Sequence, residues 1–528
     1  MEPTNKLVSP MLTDFYQITM AYAYWKAGMH EQEAVFDLFF RVNPFGGEFA
    51  IYAGLEEKLR LFESYHFKED HIAYLKDQMP RCEKEFFEWL KTVDCSKMKI
   101  YALKEGTIAF PRVPLMRVEG PIGGCQLLET SILTLTNYAS LMTTNAAKYR
   151  LAVGFEKGLI EFGLRRAQGP DGGLSASRYS YLGGFDGTSN VLAGYLFGVP
   201  IKGTHAHSYV QSFTGLGDLK KNTLRGTDGK EYDFVKIVSE VRAELGYLHT
   251  NEGELAAFIA YAQAFPEGLI ALADTYDTFK SGVPNFICVA LGLLKLGYKP
   301  IGIRLDSGDL SYLSRGARRI FNEMAARTDP SLSKCKILAS NEINRSVLIS
   351  LQQQGHEIDV FGIGTHLVTC DEQPALGCVY KLVEVRGIPR IKVSQELSKM
   401  TIPGRKEAYR LFGEDGYSLL DLMIRVGDRP PEPETRVLCH HPFDPIKRVY
   451  VTPSKVIPLH HCVWDGRRVY PEIPLNELKE YVFQQLRSTR GDHLRDINPT
   501  PYKISVSEEL YNYVYSLWAE ESPVTELK

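Results

Sequence analysis

The sequence predicts an α/β protein whose central part, residues 151–370, is a parallel (β/α) barrel. From about residue 155, short apolar runs alternate with stretches of helical periodicity, which is the pattern of repeated strand, loop and helix units. Each apolar run ends in polar or glycine residues, and the carboxyl ends of barrel strands converge on one rim. An open doubly wound sheet is the alternative, and there too the strand ends would meet.

Residues 1–150 are predicted to form an N-terminal α+β domain. Leu12–Tyr24 has helical spacing, whereas Lys99–Phe110 and Leu115–Val118 are strand-like. A long helix is expected over Gln126–Arg150, because its apolar periodicity is sustained and its small residues would allow another backbone to pack closely.

The C-terminal segment, residues 371–528, returns to strand-like runs such as Val379–Val385 and Arg390–Val393 and ends in a predicted helix, Val506–Ala519. Within the central part, Thr214–Lys230 is polar and contains four glycines, so a surface loop is expected there. A plain insertion is favoured over a lid, although the loop begins shortly after a histidine cluster.

Composition excludes several classes of protein. The 528 residues include 61 Lys and Arg against 64 Asp and Glu, with no basic run, so nucleic acid is not expected as a partner. The longest clean apolar stretch, Phe286–Leu294, is far shorter than the roughly 20 residues that span a membrane, so no membrane association is expected. Nine scattered cysteines without a C-x-x-C pair indicate reduced thiols, and the N-terminus lacks a secretory apolar segment. The expected location is the cytosol.

Arg304 and Asp306 belong to the clearest of the polar clusters at strand ends. If Ile301–Leu305 is a strand, both side chains project from the same face at its end. Ser307 and Gly308 then lead into a helix whose first N–H groups can bind an anion. A structural ion pair with a helix cap is the equally weighted alternative.

Other strand ends carry groups suited to phosphate. Gly362, Gly364 and Thr365 follow a later apolar run and form a backbone-donor loop of the kind that binds phosphate late in a barrel. Ser340 and Asn341 end another run. Paired arginines, Arg165 and Arg166, precede a Gly/Pro-rich turn and suit a carboxylate or a phosphate, with a solvated helix end as the alternative.

His205 and His207 would share one face if the preceding strand continues that far. One structural and one functional histidine is the preferred interpretation over a metal pair. Asp274 and Asp306 form a carboxylate pair that could hold Mg²⁺ through phosphate oxygens or water. Together these clusters predict a site for an anionic, phosphorylated substrate.

Six segments resemble the animal-type nicotinate phosphoribosyltransferase family, and the similarity extends to Thr401–Lys406, which covers most of the chain. They are Leu12–Gln17, Asn43–Gly47, Arg165–Gly172, Gly184–Asn190, Gly203–Ser208 and Arg304–Asp309. The resemblance implies an irregular (β/α) barrel of the type II phosphoribosyltransferase kind, with a second α+β domain built from the N- and C-terminal segments.

The resemblance also implies a reaction. Nicotinate and 5-phosphoribosyl 1-pyrophosphate would give nicotinate mononucleotide and pyrophosphate, the first step of NAD salvage from nicotinic acid. ATP would be a co-substrate whose hydrolysis drives the reaction through a phosphohistidine at His207, although the sequence contains no P-loop motif to bind it. Mg²⁺ (or Mn²⁺) would be the metal, and the active unit would be a homodimer with shared active sites.

Residue roles follow from the same resemblance together with the polar clusters described above. His207, Asp274 and Asp306 are the expected catalytic residues, and the two aspartates are also the expected metal ligands. Nicotinate contacts are assigned to Tyr16, Arg165, Thr204 and Arg304. Contacts with the phosphoribosyl donor are assigned to Arg166, Ser307, Gly308, Ser340, Asn341, Gly362, Gly364 and Thr365.

Two alternative functions remain at this stage. The first is a nicotinamide- or quinolinate-specific enzyme on the same barrel; cationic groups at Arg165 and Arg304 favour a carboxylated pyridine over the neutral amide. The second is a catalytically silent relative that acts as a binding protein, which the joint presence of His207, Asp274 and Asp306 disfavours.

Overall fold

The computed structural model describes residues 2–392 and 400–521, and the chain divides into two compact units. The terminal unit comprises Met1–Ala147, Leu182–Gly184 and Cys370–Lys528, and the barrel unit comprises Lys148–Tyr181 and Phe185–Thr369.

The barrel unit is built on a six-stranded sheet in which every neighbouring pair is parallel. A single parallel bridge from Thr188 to Ile201 continues the sheet at one edge. Beyond that bridge, the ring of His205 accepts a hydrogen bond from the backbone N–H of Leu272 in the strand at the other edge. The predicted irregular (β/α) barrel is therefore confirmed. In sheet order its strands are Ile270–Leu272, Gly302–Leu305, Lys336–Ala339, Val360–Ile363, Gly158–Glu161 and Gly187–Thr188.

Helices follow the barrel strands, as the alternating pattern predicts. Val283–Lys295 contains the apolar stretch Phe286–Leu294 and is buried along almost its whole length. Among the helices described, none combines the length and apolar character needed to cross a bilayer. The α-helices of the unit are Gly169–Leu182, Val191–Phe197, His207–Gln211, Phe234–Glu244, Glu252–Ala264, Val283–Lys295, Leu310–Arg327, Arg345–Gln354 and Thr365–Thr369, and Glu129–Val153 ends within it.

The segment Thr214–Lys230 is more regular than the predicted surface loop. Thr223–Arg225 pairs with Glu231–Asp233 as an antiparallel hairpin. Within its turn, the Asp228 carboxylate accepts hydrogen bonds from the Lys230 backbone and the Tyr232 hydroxyl. Hydrogen bonding by short polar residues, rather than an apolar pattern, produces this hairpin, which is why its sequence resembles a loop.

Two six-stranded sheets form the centre of the terminal unit. The first joins both ends of the chain, because Glu33–Phe40 pairs with Cys378–Val385 on one side and Met116–Pro121 on the other. This confirms the second domain built from N- and C-terminal segments. In sheet order the strands are Ile388–Pro389, Cys378–Val385, Glu33–Phe40, Met116–Pro121, Lys99–Leu103 and His460–Asp465, then Asp444–Val451, Val437–His441, Lys503–Ser507, Ser418–Arg425, Lys406–Phe412 and Lys455–Pro458. A short pair, Ala50–Ile51 with Ile108–Ala109, adds to them.

Helices of the terminal unit differ from the predicted bounds at their ends. The expected helix Gln126–Arg150 is two helices, Ile122–Leu127 and Glu129–Val153. The predicted C-terminal helix begins two residues late, at Glu508, because Lys503–Ser507 is a strand. The helices are Phe15–Lys26, Leu55–Ser64, Glu69–Gln78, Lys84–Thr92, Ile122–Leu127, Glu129–Val153, Leu475–Arg487 and Glu508–Glu521.

Two predicted strands are also shorter than expected. Lys99–Phe110 is interrupted after Leu103, where Gly106 adopts a left-handed φ of 89° that a strand interior excludes. In Arg390–Val393, Arg390 follows the edge strand Ile388–Pro389 instead of forming one, and Val393 lies outside the described residues.

Candidate active site

Seven of the predicted site residues come together through direct contacts at the carboxyl ends of the barrel strands. Most follow a strand within a few residues, so the parallel sheet places their side chains at one edge. They are Thr204, His207, Asp274, Arg304, Asp306, Ser307 and Ser340.

Asp274 connects two neighbouring strand ends. Its Oδ2 accepts hydrogen bonds from the Asp306 backbone N–H at 2.8 Å and from the Ser307 hydroxyl at 2.5 Å. Its side chain is only 3% exposed, and Oδ1 is buried without a hydrogen-bond partner in the described part of the chain. A buried carboxylate oxygen without a donor is costly, so this atom is suited to a cation or a bound donor.

Asp306 is held on its other side by the next strand end. Its Oδ1 accepts a hydrogen bond of 2.7 Å from the Ser340 hydroxyl. Its Oδ2 lies 3.7 Å from Arg304 Nη2. Arg304 and Asp306 therefore project from the same face, as the alternation predicts. This contact agrees both with a structural ion pair and with a ligand-binding site.

His207 faces both carboxylates. Its Nε2 lies 3.9 Å from Asp274 Oδ1 and 3.7 Å from Asp306 Oδ2, and its side chain is 38% exposed. Its Nδ1 lies 3.0 Å from the Thr275 hydroxyl. When Nδ1–H donates to Thr275, Nε2 keeps its lone pair on the side of the aspartates, which is the arrangement a nucleophilic imidazole requires.

His205 occupies a different environment from His207, because the strand does not continue far enough for the two side chains to share one face. The chain leaves the sheet after Ile201, and His207 begins a helix. His205 instead packs against the rings of Tyr209 and Tyr261. Burial lowers its pKa to about 4, with the nearby Arg304 and His207 acting in the same direction.

Arg304 is anchored and partly buried. Its Nη1 donates to Thr204 Oγ1 at 2.8 Å and to the His205 carbonyl at 3.3 Å. Its side chain is 15% exposed, and its Nε is buried without a hydrogen-bond partner among the described residues. Burial lowers its pKa, Asp306 and Asp274 oppose that shift, and Arg165 adds to it. Arg165 therefore lies close enough to place a second positive charge beside Arg304.

Predicted anion-binding residues occupy turns and short helices at the same ends of the strands. Ser307 and Gly308 are exposed and precede Leu310–Arg327, which is capped by Asp309. Gly362 lies in a strand, and Gly364 and Thr365 lead into a five-residue helix. Asn341 is exposed after Ser340. The fold thus supplies backbone N–H groups and hydroxyls to one region, which is what a phosphorylated ligand requires.

Three further predicted residues stand apart from this contact network. Arg165 and Arg166 are exposed in the short helical turn Leu164–Arg166. Tyr16 belongs to the terminal unit, where its hydroxyl lies 3.3 Å from a Glu129 carboxylate oxygen and its side chain is 48% exposed.

The carboxylates fit a hard divalent cation. Asp274 offers its unpartnered Oδ1, and Asp306 offers Oδ2 on the same side as His207 Nε2. In the described ranges, no group of three or more His, Cys, Asp or Glu is arranged to hold a metal. Mg²⁺ commonly takes one or two carboxylates and completes its shell with phosphate oxygens and water, so two aspartates are sufficient.

Sequence reasoning missed two supports of the Asp274 loop. Thr275, which contacts His207, stood within a polar cluster but was not singled out. Gly282 lies so close to Ala273 that an added Cβ would be 1.9 Å from the Ala273 carbonyl oxygen. The requirement for glycine at position 282 comes from its close packing against Ala273, and no local sequence pattern indicates such a contact.

Glu254 is a third missed residue and a buried acid. Its carboxylate accepts hydrogen bonds from Ser281 Oγ at 2.5 Å and Asn285 Nδ2 at 3.0 Å. Burial raises its pKa to about 7 against these hydrogen bonds, with Asp274 and Asp277 adding to the shift. In the sequence, Glu254 reads only as an acidic residue in the first turn of a helix.

Three family models of nicotinate phosphoribosyltransferase match the chain. The N-terminal domain model covers residues 11–137, the family model residues 158–412 and the C-terminal domain model residues 405–514. The nicotinate phosphoribosyltransferase of Dictyostelium discoideum is 55% identical over 100% of this chain and 91% of its own length.

Solved structures agree with this assignment. The crystal structure of human nicotinic acid phosphoribosyltransferase superposes with a TM-score of 0.85 at 42% identity, covering 96% of this chain and 99% of the human one. The nicotinate-nucleotide pyrophosphorylase of Pyrococcus furiosus, at 20% identity and a TM-score of 0.62, covers 91% of this chain and 95% of its own and shares the fold. With matches along nearly its whole length, the chain belongs to the nicotinate phosphoribosyltransferase family.

Proposed function

We propose that the protein condenses nicotinate with 5-phosphoribosyl 1-pyrophosphate to give nicotinate mononucleotide and pyrophosphate. One observation carries the proposal: Arg304, Asp274, Asp306 and His207 meet at one edge of the barrel in a chain of this family. The reaction would be the first step of NAD salvage from nicotinic acid.

The chemistry suits these groups. The pyridine nitrogen forms the new bond to the anomeric carbon, and the bond from that carbon to the pyrophosphate oxygen breaks. Because the nucleophile needs no deprotonation, the site needs donors for the leaving group more than a strong base. Ser307, Gly308, Ser340 and Asn341, with Arg166, Gly362, Gly364 and Thr365, are the residues we assign to the phosphates of the donor.

Arg304 is the proposed partner of the pyridine carboxylate. Thr204 holds one nitrogen of the guanidinium, and the unpartnered Nε remains available to an anion. Arg165 would reinforce the positive potential, and Tyr16 would cover the pyridine ring. This arrangement favours nicotinate over nicotinamide, which has no charge to pair with the arginine. Quinolinate also carries carboxylates, so an assay must distinguish it from nicotinate as the substrate.

Asp274 and Asp306 would hold Mg²⁺ or Mn²⁺ together with oxygens of the pyrophosphate. The metal would supply positive charge that stabilises the departing pyrophosphate. The protein's own part is to fix the two carboxylates, since Ser307 and the Asp306 backbone hold Asp274, and Ser340 holds Asp306.

His207 would couple ATP to the reaction. We assign Nε2 as the atom that attacks the terminal phosphorus of ATP, so that a nitrogen–phosphorus bond forms and the bond to ADP breaks. Contact of Nδ1 with Thr275 supports this choice of atom, and the two aspartates near Nε2 would stabilise the positive ring.

A homodimer with shared sites is the proposed active unit. Two sets of exposed apolar side chains support it. Phe15 and Tyr16 are 56% and 48% exposed at the start of the first helix. Val191, Leu192 and Tyr195, at 68%, 53% and 84%, lie on a short helix of the barrel unit. Clusters of exposed apolar residues are typical of interfaces between subunits.

We place the enzyme in the cytosol. All nine cysteines are free thiols in the structure, and most are buried. Reduced thiols are characteristic of a reducing compartment.

The test is a direct assay of the purified protein. It is given 5-phosphoribosyl 1-pyrophosphate and Mg²⁺ with nicotinate, nicotinamide or quinolinate, each with and without ATP. Formation of mononucleotide and pyrophosphate from nicotinate, faster with ATP, is the expected result. Preference for either other pyridine would assign the corresponding specificity, and no turnover with any pyridine would favour a binding protein.

A further inference from the structure

Glu161 is a buried acid of the barrel unit to which the reaction described above gives no role. It is the last residue of the strand Gly158–Glu161, and its side chain is completely buried. Its Oε1 accepts a hydrogen bond from the backbone N–H of Gly163. Its Oε2 accepts from Ser177 Oγ at 2.8 Å and from Thr188 Oγ1 at 2.5 Å. Both carboxylate oxygens therefore have donors, as a buried polar group requires.

The Oε2 side of the carboxylate is fixed by a helix and a strand of the barrel unit, which carry Ser177 and Thr188. Asn190 orients both hydroxyls. Its Nδ2 donates to Ser177 Oγ at 3.1 Å, and its backbone N–H donates to Thr188 Oγ1 at 3.0 Å. Because each hydroxyl accepts from Asn190 on one side, its own proton is available to the carboxylate on the other.

The Oε1 side holds the start of the turn that carries Arg165 and Arg166. The Gly163 carbonyl accepts a hydrogen bond of 2.8 Å from the Arg166 backbone N–H, which closes this turn. Gly163 also packs closely on its other side, where an added Cβ would lie 2.2 Å from Val368 Cγ1. The turn is therefore held between the Glu161 carboxylate and the short helix Thr365–Thr369.

The positions of the two arginine side chains depend on this turn. Arg165 and Arg166 are exposed, and within the part of the chain that the structure describes neither side chain forms a hydrogen bond or an ion pair. Their placement is consequently set by the backbone that carries them, and a turn held in one geometry reduces the loss of freedom when an anion binds.

We propose that Glu161 is a positioning residue that holds the Gly163 turn in the geometry in which Arg165 and Arg166 meet their ligands. This inference rests on the proposed function, in which Arg165 contacts the pyridine carboxylate and Arg166 the phosphoribosyl donor. Without the hydrogen bond from Gly163 to Glu161, a buried N–H would lack its acceptor and the turn would loosen. A purely structural role would instead change stability and leave substrate affinity unaltered.

The test compares Glu161→Met with Glu161→Gln. Methionine fills a similar volume but offers Gly163 no acceptor, so the KM values for nicotinate and for the donor should both rise about tenfold. The value of kcat should stay within about twofold, because the arginines bind groups that do not react. Glutamine keeps an oxygen for Gly163, and its amide can donate to the Ser177 and Thr188 oxygens, so both KM values should remain near wild type. Equal effects of the two variants would place the role in the negative charge and contradict the proposal.

Hydrogen exchange of the full-length protein without substrate tests the turn independently of turnover. Residues 163–167 should exchange faster in Glu161→Met and at the wild-type rate in Glu161→Gln. Ser177→Ala is the matched control, because it removes one donor to Oε2 and leaves the Gly163 contact in place. It should lower the unfolding temperature without changing either KM or the exchange of the turn. Absence of turnover in the wild type would count against the proposed function, whereas unchanged exchange in Glu161→Met, or failure of that variant to fold, would overturn the positioning role.

A double-mutant cycle shows whether Glu161 acts through the arginines. In the Arg165→Ala/Arg166→Ala background, adding Glu161→Met should change kcat/KM by less than about twofold, because the groups that the turn positions are already absent. A further loss of about tenfold in that background would show that Glu161 acts elsewhere in the site.

Discussion

Arg304 Nη1 donates a hydrogen bond of 2.8 Å to Oγ1 of Thr204, a residue 100 positions earlier in the chain. Thr204 follows the last bridge of the sheet at Ile201, whereas Arg304 lies in the strand beside Ile270–Leu272. The contact therefore joins the segment beyond one edge of the sheet to the strand next to the other edge, and it also orients the guanidinium.

Arg304→Ala should raise the KM for nicotinate far more than the KM for the phosphoribosyl donor. It would remove the charge-assisted partner of the pyridine carboxylate, at a cost on the order of 2–5 kcal/mol if the pair is desolvated. Thr204→Val keeps the charge but loses its anchor, so a smaller increase in the same KM is expected. Steady-state kinetics with both substrates measures these effects. An equal rise in both constants would place Arg304 on the phosphates.

His207→Ala should abolish ATP stimulation and leave a slow reaction without ATP, because the phosphate acceptor is lost. Incubation with γ-labelled ATP should leave acid-labile phosphate on the wild type only. His249→Ala, at an exposed position of the same unit, is the matched control. His205→Ala is unsuitable as a control because that ring supports the barrel edge. Labelling of His207→Ala at the wild-type level would contradict the assignment.

Much of the site followed from local sequence patterns. Parallel strands place their carboxyl ends together, so the clusters at Asp274, Asp306 and Ser340 could be expected to converge before any contact was known. The different environments of His205 and His207 could not be predicted, because they depend on where the strand ends. A single bridge at Ile201 ends the strand, and burial among aromatic rings then separates the two histidines.

The fold likewise has features that local sequence patterns predicted and features that they did not. Helical and strand periodicity predicted the barrel, since the alternation of strands and helices depends on apolar spacing, whereas the second domain built from both termini was implied only by the family resemblance. The hairpin at Thr223–Asp233 and the break before Gly106 depend on turn hydrogen bonds and a left-handed backbone, which periodicity does not register. Glu254 was missed because only tertiary packing makes an ordinary first-turn acid a buried one.

Glu254→Gln should stabilise the protein at pH 8. The pKa of Glu254 is about 7 in the folded chain against an ordinary 4.5, so between these values the folded state holds more protons than the unfolded one. The stability of the wild type therefore falls as pH rises through this window, by up to about 1.4 kcal/mol per pH unit. Glutamine keeps one carbonyl oxygen that can accept from both Ser281 and Asn285, and it does not titrate.

Thermal unfolding from pH 4 to pH 8 tests this prediction. The difference between Glu254→Gln and wild type should grow as pH rises from about 4.5 to about 7 and then level off. Glu244→Gln, at an exposed helix end, should show little pH-dependent difference. A constant difference across the range would show that Glu254 does not titrate between these values.

Gly282→Ala should destabilise the protein by about 3 kcal/mol and lower its activity, because the new Cβ would overlap the Ala273 carbonyl and displace the backbone before Asp274. Chemical denaturation measures the change in stability, and steady-state kinetics with 5-phosphoribosyl 1-pyrophosphate measures the change in activity. Gly268→Ala is the control, since its nearest contact would be an ordinary 3.5 Å. A fully stable and active Gly282→Ala would show that the Ala273–Asp274 backbone moves freely.

Shared active sites predict complementation between two inactive variants, Tyr16→Ala and His207→Ala. Tyr16 is half exposed in the terminal unit, whereas His207 belongs to the barrel unit. If the ring of Tyr16 completes the pyridine pocket of a second copy, a mixed dimer contains one site with both residues intact. Activity should then recover in part after subunit exchange.

Two measurements make the complementation decisive. Exchange is followed with subunits that carry different tags, and each variant alone must unfold at the wild-type temperature. A double variant, Tyr16→Ala/His207→Ala, mixed with wild type supplies the matched control, because when the sites are shared its mixed dimer carries one defect in each site and has no intact site. Complete exchange without recovery between the single variants would show that Tyr16 serves its own chain or lies outside the site, and the chemistry assigned to His207 and the aspartates would stand independently.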